Sequence, residues 1–354
     1  MRVSTMTKQE IILAIKDLID GNPVKNDEIY RLLQIHNCDH LLLKSSNPDY
    51  MHLTQLHCTI NNIQIIERYK ACQQIFEQNE FNYAIIKGAV LSKMIYGDPS
   101  IRCSGDIDML INKTNVDYVK SFLNSIGFVQ GKVIDNCFVP STREEIIFQT
   151  CQTHQLASFV KKTDNPLCPY ICLDVNTNVV WGENENKVDM NYVLSFVETT
   201  NLFGFSFNKL CPEMELVSLC LHHYKDMNSL FLLTNGSLKF CLYYEIYMYL
   251  HNVHIDEHLL RNICETINVG QYLYACIYQV QSIFYDTVIE KYIDILSPFK
   301  DPILLNTYGL NEKERKTWTI DLLDRLFNVN LPIYIREHLS EDEIRKIEIN
   351  RLLM

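Results

Sequence analysis

Long apolar runs are missing from this 354-residue chain, and nothing approaches the roughly 18 consecutive apolar residues that a membrane-spanning helix needs. The opening MRVSTMTKQE also lacks the apolar stretch of a signal peptide, so no membrane association and a cytoplasmic location are expected. Glycine (11) and proline (10) are scarce, which excludes collagen-like and low-complexity chains. No CxxC occurs among the 13 cysteines, and the closest pair is Cys168 and Cys172. An odd count with irregular spacing does not read as a disulfide framework, so the thiols are expected to be reduced and to serve as small hydrophobes. Positive charge is also short. Lys plus Arg is 32 against 43 Asp plus Glu, a net charge of -11. Long nucleic acid is a poor partner for such a chain, because counterion release needs a broad cationic face. A single nucleotide needs only a local basic pocket.

What is present is an ordinary globular composition, 47% hydrophobic and 21% charged. The length predicts about two domains. Residues 1–80 read as a helical segment. Thr7 and Glu10 make a capping-box pattern, and a long helix over 49–80 carries Leu53, Leu56, Ile63, Ile66, Tyr69 and Phe76 as a core stripe. Residues 81–204 alternate short apolar runs with helical spacing. Strands are predicted at 81–86, 107–111, 146–148 and 171–175, and helices at 87–96 and 114–126. From about 205 the pattern is helical again, with helices at 215–223, 238–250, 257–267, 272–289, 312–327 and from Ser340 onward. Tyr243, Tyr244, Tyr247 and Tyr249 read as core residues. The fold class is therefore α+β, a mixed sheet flanked by helices followed by a mainly helical C-terminal domain.

The chemistry concentrates in residues 87–110, KGAVLSKMIYGDPSIRCSGDIDML. Asp106 and Asp108 stand two apart at the head of an apolar strand, so their side chains share one face about 6–7 Å apart. Two carboxylates so placed can share a pair of hard divalent cations about 3.5–4 Å apart, a two-metal Mg²⁺ site whose other ligands come from substrate phosphates and water. Lys87-Gly88 marks a strand-to-helix junction, where Gly lets the backbone approach a phosphate and the helix N-terminus favours one. Arg102 lies four residues before Asp106 and reads either as a phosphate ligand or as an ion pair holding its loop.

This stretch resembles the uncharacterised-nucleotidyltransferase branch of the polymerase-β-like nucleotidyltransferase superfamily. The pattern KGxxLxxxxYxDPxxRxxGDIDxL is carried by Lys87, Gly88, Leu91, Tyr96, Asp98, Pro99, Arg102, Gly105, Asp106, Ile107, Asp108 and Leu110. The resemblance implies that fold and a Mg²⁺-dependent transfer of an NMP group from an NTP to a hydroxyl acceptor. It implies Asp106, Asp108 and a third carboxylate as catalytic, metal-binding residues. Asp174 in CLDVNTNVV is the best match for the third, with Asn176 where that segment often has His; Asp164 and Asp189 are fallbacks. Lys87, Gly88, Arg102, Ser104 and Gly105 are expected to hold the nucleotide. His154, Lys225 and Lys239 are further candidates, and His222 and His223 accompany Lys225. The low positive charge favours a small-molecule, peptide or protein acceptor, with a tRNA end as an alternative. A nucleotide-sensing or partner-binding protein, as in a toxin–antitoxin pair, and a phosphohydrolase are the competing readings.

Overall fold

The computed structural model describes residues 6–22, 24, 26–44, 47–182, 184, 186 and 188–353. The run at 81–86 forms strand β1 (Tyr83–Ile86), whose four residues are all buried. It lies inside an eight-stranded sheet. The other strands are β2 (Ile107–Ile111), β3 (Val129–Ile134), β4 (Cys137–Pro140), β5 (Phe159–Lys162), β6 (Tyr170–Asn176), β7 (Val197–Leu202) and β8 (Phe205–Leu210). Their order is β4-β3-β5-β6-β2-β1-β8-β7. The sheet is mixed: β2 runs antiparallel to β1 and parallel to β6, and β1 runs parallel to β8. Asp135-Asn136 and Phe203-Gly204, all at positive φ, close the β3–β4 and β7–β8 hairpins.

Alternation on β2 divides the core. Ile107, Met109 and Ile111 face a cluster with Ile65, Tyr69, Val119 and Leu123. Leu110, with Ala84 and Ile86 of β1, faces a larger cluster that joins N-terminal Ile11 and Leu18 to C-terminal Leu216, Tyr243 and Ile277. Helical segments from both ends of the chain thus share one core against one face of the sheet. Tyr243, Tyr244 and Tyr249 are buried in it, and every cysteine whose side chain is described is a free thiol. Among the described residues, no helix is long and apolar enough to cross a membrane.

Several expectations are corrected. Residues 146–148 are not a strand but part of the helix Arg143–Gln152, because Thr142 and Glu145 form a capping box that outweighs a three-residue β-type run. The helix expected over 272–289 breaks at Tyr285, which is left-handed at φ 50, and a second helix (Thr287–Leu296) restarts on an Asp286 cap. Over 312–327 only Leu322–Phe327 is helical; Lys316–Thr317 pairs as a strand with Thr307–Tyr308. The long N-terminal helix ends at Ala71 and a short one (Gln73–Glu77) follows. Its supposed core stripe is partly wrong: Leu53, Leu56 and Ile63 are exposed, whereas Thr54, Asn61, Ile65, Arg68 and Tyr69 are buried. The buried side of this helix is partly polar, and its Asn61 supports the loop that follows the helix Gly88–Tyr96. Asn61 donates to the carbonyls of Ser100 (2.8 Å) and Arg102 (3.0 Å). The sheet also extends past the expected joint at 205, since β8 ends at Leu210.

Candidate active site

The strand-to-helix junction after β1 is made by Lys87 and Gly88, at φ 55 and 49. A positive φ at Lys87 is unusual for a residue with a side chain and has to be held by its surroundings. Glu215, only 1% exposed on the helix Pro212–Asn228, holds it by accepting the Lys87 N–H at 2.9 Å. Burial pushes the Glu215 carboxyl up to about 7, against that hydrogen bond and the charges of Lys209 and Lys87. Lys87 is buried, and its Nζ lies 3.5 Å from Asp108 Oδ1.

The loop after the helix Gly88–Tyr96 is knitted internally. Asp98 Oδ1 accepts from the N–H and hydroxyl of Ser100, Ser92 Oγ donates to the Asp98 carbonyl, and the Arg102 N–H donates to Ser92 Oγ. This explains the Asp-Pro-x-x-Arg part of the pattern: it is a rigid turn that presents Arg102. The Arg102 Nε then donates to Glu245 Oε1 at 2.7 Å, while His223 Nε2 meets Glu245 Oε2 at 3.0 Å. Burial would raise Glu245, but the Arg102 charge and the His223 contact outweigh it and hold the carboxyl at about 2. One N–H of the guanidinium is spent on Glu245. Among the described residues, its two terminal nitrogens make no hydrogen bond.

Asp106 immediately precedes β2, and Asp108 lies on it. Ser104 Oγ donates to the Asp106 carbonyl and lies 3.2 Å from Asp106 Oδ1. Gly105 leaves open space beside Asp106. Across the parallel β2–β6 pairing, Asp108 stands in register with Asp174. Asn176, next on the same face of β6, donates to Asp108 Oδ1 at 3.1 Å. Ser158 donates to Asp174 Oδ1, and Gln155 Nε2 to Asp174 Oδ2 at 2.7 Å. Burial first, then the Asp108 charge, push Asp174 up to about 7, with Ser158 opposing. Asp106 is also raised, by burial and by Asp108, with Lys87 pulling the other way. Three mutually repelling carboxyls are thus held around one lysine. Among the described residues, no group of three or more His, Cys, Asp or Glu side chains is placed to hold a metal ion by itself. Oδ2 of Asp106 and of Asp108 accepts no hydrogen bond among the described residues.

The expected residues do not all converge. Lys87, Gly88, Ser104, Asp106 and Asp108 line one small cavity, joined by Arg68, whose Nε and Nη1 are buried without partners among the described residues. Lys87, Asn176, His222 and Lys225 line an adjoining cleft with Gln155 and Trp181. His222 lies 3.3 Å from Asp226, yet burial and the charges of Lys87 and Lys225 hold it well below its ordinary value. His223 turns the other way, onto Glu245. His154 lies outside the cleft: it sits at φ 53 in a tight turn, with its ring on the Val180 carbonyl at 3.1 Å and its own carbonyl accepting from Thr177. Lys239 precedes the helix Phe240–Asn252, where its charge acts on His36 and Cys241, and it lines none of these cavities. Asp164 is an exposed loop residue, and Asp189 caps the helix Met190–Leu194. Sequence reasoning missed Glu245, Ser158, Gln155 and Arg68.

No curated protein matches the chain. Among solved structures, an antigenic nucleotidyltransferase-like protein from Paracoccidioides brasiliensis aligns at 14% identity, covering 64% of this chain and 97% of that one, with a TM-score of 0.30. The model of the family described as "Uncharacterised nucleotidyltransferase" matches residues 29–285, spanning the sheet, its acidic strand and the helices that carry Glu215 and Glu245. The chain belongs to this uncharacterised nucleotidyltransferase family.

Proposed function

We propose that the chain transfers an NMP group from an NTP to a hydroxyl on an acceptor and releases pyrophosphate. The observation that carries this reading is the register of Asp108 against Asp174, with Asp106 immediately before the Asp108 strand and Lys87 Nζ 3.5 Å from Asp108. Asp106 and Asp108 fit Mg²⁺ as a pair of hard oxygen donors. Each has an oxygen without a hydrogen bond among the described residues, and Asp106 is raised by burial and then by the like charge of Asp108, penalties that a cation offsets. Bound there, Mg²⁺ supplies charge neutralisation and Lewis acidity at the α-phosphate. Asp174 is better suited to a proton than to a metal, since both its oxygens are already hydrogen-bonded and its affinity for a proton lies near neutrality.

The acceptor oxygen attacks the α-phosphorus. A new O–P bond forms as the bond from the α-phosphorus to its bridging oxygen breaks, and that electron pair leaves with pyrophosphate. The acceptor proton passes to the Asp174 carboxylate. Lys87, the Gly88 amide and the terminal nitrogens of Arg102 hold and neutralise the phosphate oxygens. Rate enhancement comes mainly from positioning and from preorganised charge.

Thermal unfolding with ATP, CTP, GTP and UTP, each with and without Mg²⁺, tests the reading. A rise in Tm with at least one NTP that requires the metal supports it, and no response to any of the four overturns it.

A further inference from the structure

We propose that the groove beside the acidic site is the acceptor subsite, and that it takes a small molecule with a flat apolar body and one anionic or hydrogen-bond-accepting group. This deepens the nucleotidyltransferase reading and rests on it. The groove is a cavity of about 180 Å³. Its walls come from distant parts of the chain: Phe148 on the helix Arg143–Gln152, Phe231 on the helix Leu230–Leu233, and Ile347 on the C-terminal helix Glu341–Leu353. At its inner end Thr153, Gln155, Trp181 and Lys225 line both the groove and the cleft that reaches Lys87 and Asn176. Gln155 links the groove to the acidic site, because its amide donates to Asp174 Oδ2. A molecule lying in the groove therefore meets the amide that holds the proposed base. Lys87, Gly88 and Ser104 do not line the groove, which leaves the phosphate cradle to the nucleotide.

The lining indicates what the molecule carries. Trp181 is 6% exposed, is stacked on Tyr224 with ring centroids 5.5 Å apart, and its indole N–H is buried without a partner among the described residues. An unpaired buried donor is costly, and a ligand acceptor atom offsets that cost. Lys225 stands beside it, 3.7 Å from Asp226. Farther out the charges neutralise each other, Lys346 with Glu314 at 2.8 Å and Lys316 with Glu343 at 3.0 Å. The groove thus offers aromatic and aliphatic walls with one donor-rich inner end. It provides no basic track for a polyanion such as tRNA.

The test uses the full-length chain and 1-anilinonaphthalene-8-sulfonate, which joins a flat aromatic body to one sulfonate. Saturable binding at one site is expected, with energy transfer from Trp181 that persists in Trp318→Phe. Phe231→Ala and Lys225→Gln are each expected to weaken it about tenfold at unchanged circular dichroism. No saturable binding, binding indifferent to both substitutions, or displacement of the probe by tRNA overturns the proposal. The Mg²⁺-dependent nucleotide response is read in the same samples. Its absence while the probe still binds overturns the transferase reading and the acceptor role with it, whereas a nucleotide response without probe binding overturns the groove alone.

Discussion

Asp108 of β2 and Asp174 of β6 occupy matched positions on two parallel strands, and Asn176 and Lys87 both contact Asp108. Strand pairing, rather than loop placement, fixes the distance between the two carboxyls. The site is therefore built on paired strands inside the sheet. Its cost is like-charge repulsion at partly buried carboxylates.

Removing one of those charges should separate stability from activity. Asp106→Asn keeps the shape but removes the repulsion that raises Asp106, so its Tm is expected to equal or exceed that of the parent. NMP transfer in the same protein should fall by at least about a thousandfold, as expected when a ligand of the reacting complex is lost. Differential scanning calorimetry and a transfer assay on one preparation check both halves.

Glu215 should shape the pH dependence of stability. Its carboxyl is raised from 4.5 to about 7 in the fold, so the folded state binds the proton more tightly than the unfolded chain does. That contribution is fully present below pH 4.5 and is lost as pH rises through about 7, on the order of 3 kcal/mol in all. Glu215→Gln still accepts the Lys87 N–H but does not titrate. Denaturant unfolding across pH 4.5 to 7 should show a flatter profile for this variant, whereas Glu215→Ala should release the Lys87 turn and lower activity.

Glu245 has the opposite sign. Its carboxyl is depressed to about 2, so its contribution is present above pH 4.5 and is lost as pH falls through about 2. At neutral pH, Glu245→Ala leaves Arg102 without its buried partner and should cost about 3–5 kcal/mol. Acid unfolding followed by circular dichroism checks the first statement, and urea midpoints check the second.

Asn61 should matter through the loop that it holds. Asn61→Ala removes two hydrogen bonds to the Ser100 and Arg102 carbonyls, at a stability cost of about 1–3 kcal/mol. The expected kinetic signature is a raised KM for NTP with little change in kcat, because the loop presents Arg102 to the phosphates.

Legibility in the sequence followed contact range. Lys87, Gly88, Asp106 and Asp108 could be read because their spacing is local and period two on a strand puts both carboxyls on one face. Asp174 needed a family pattern, and Asn176, at first sight a departure from that pattern, is a direct partner of Asp108. Glu215 and Glu245 lie 128 and 143 residues from the groups they hold, and no local pattern reports such pairings. His154 and Lys239 carried the right chemistry but were spent elsewhere, on a turn and at a helix start. The long N-terminal helix misled for a related reason: its buried side includes Asn61 and Arg68, so a stripe drawn through apolar residues found the exposed Leu53 and Leu56. Helix ends at Thr142 and Asp286 were written in capping residues that a reading by hydrophobic period passed over.

The most direct test follows label from the α-phosphate of an NTP in the presence of Mg²⁺ and hydroxylated aromatic acceptors, with pyrophosphate measured in parallel, for the parent chain and Asp108→Asn. The account predicts labelled acceptor and matching pyrophosphate from the parent, and neither from a folded Asp108→Asn. Near-parental transfer by Asp108→Asn, or release of γ-phosphate alone with no α-labelled product, would contradict it.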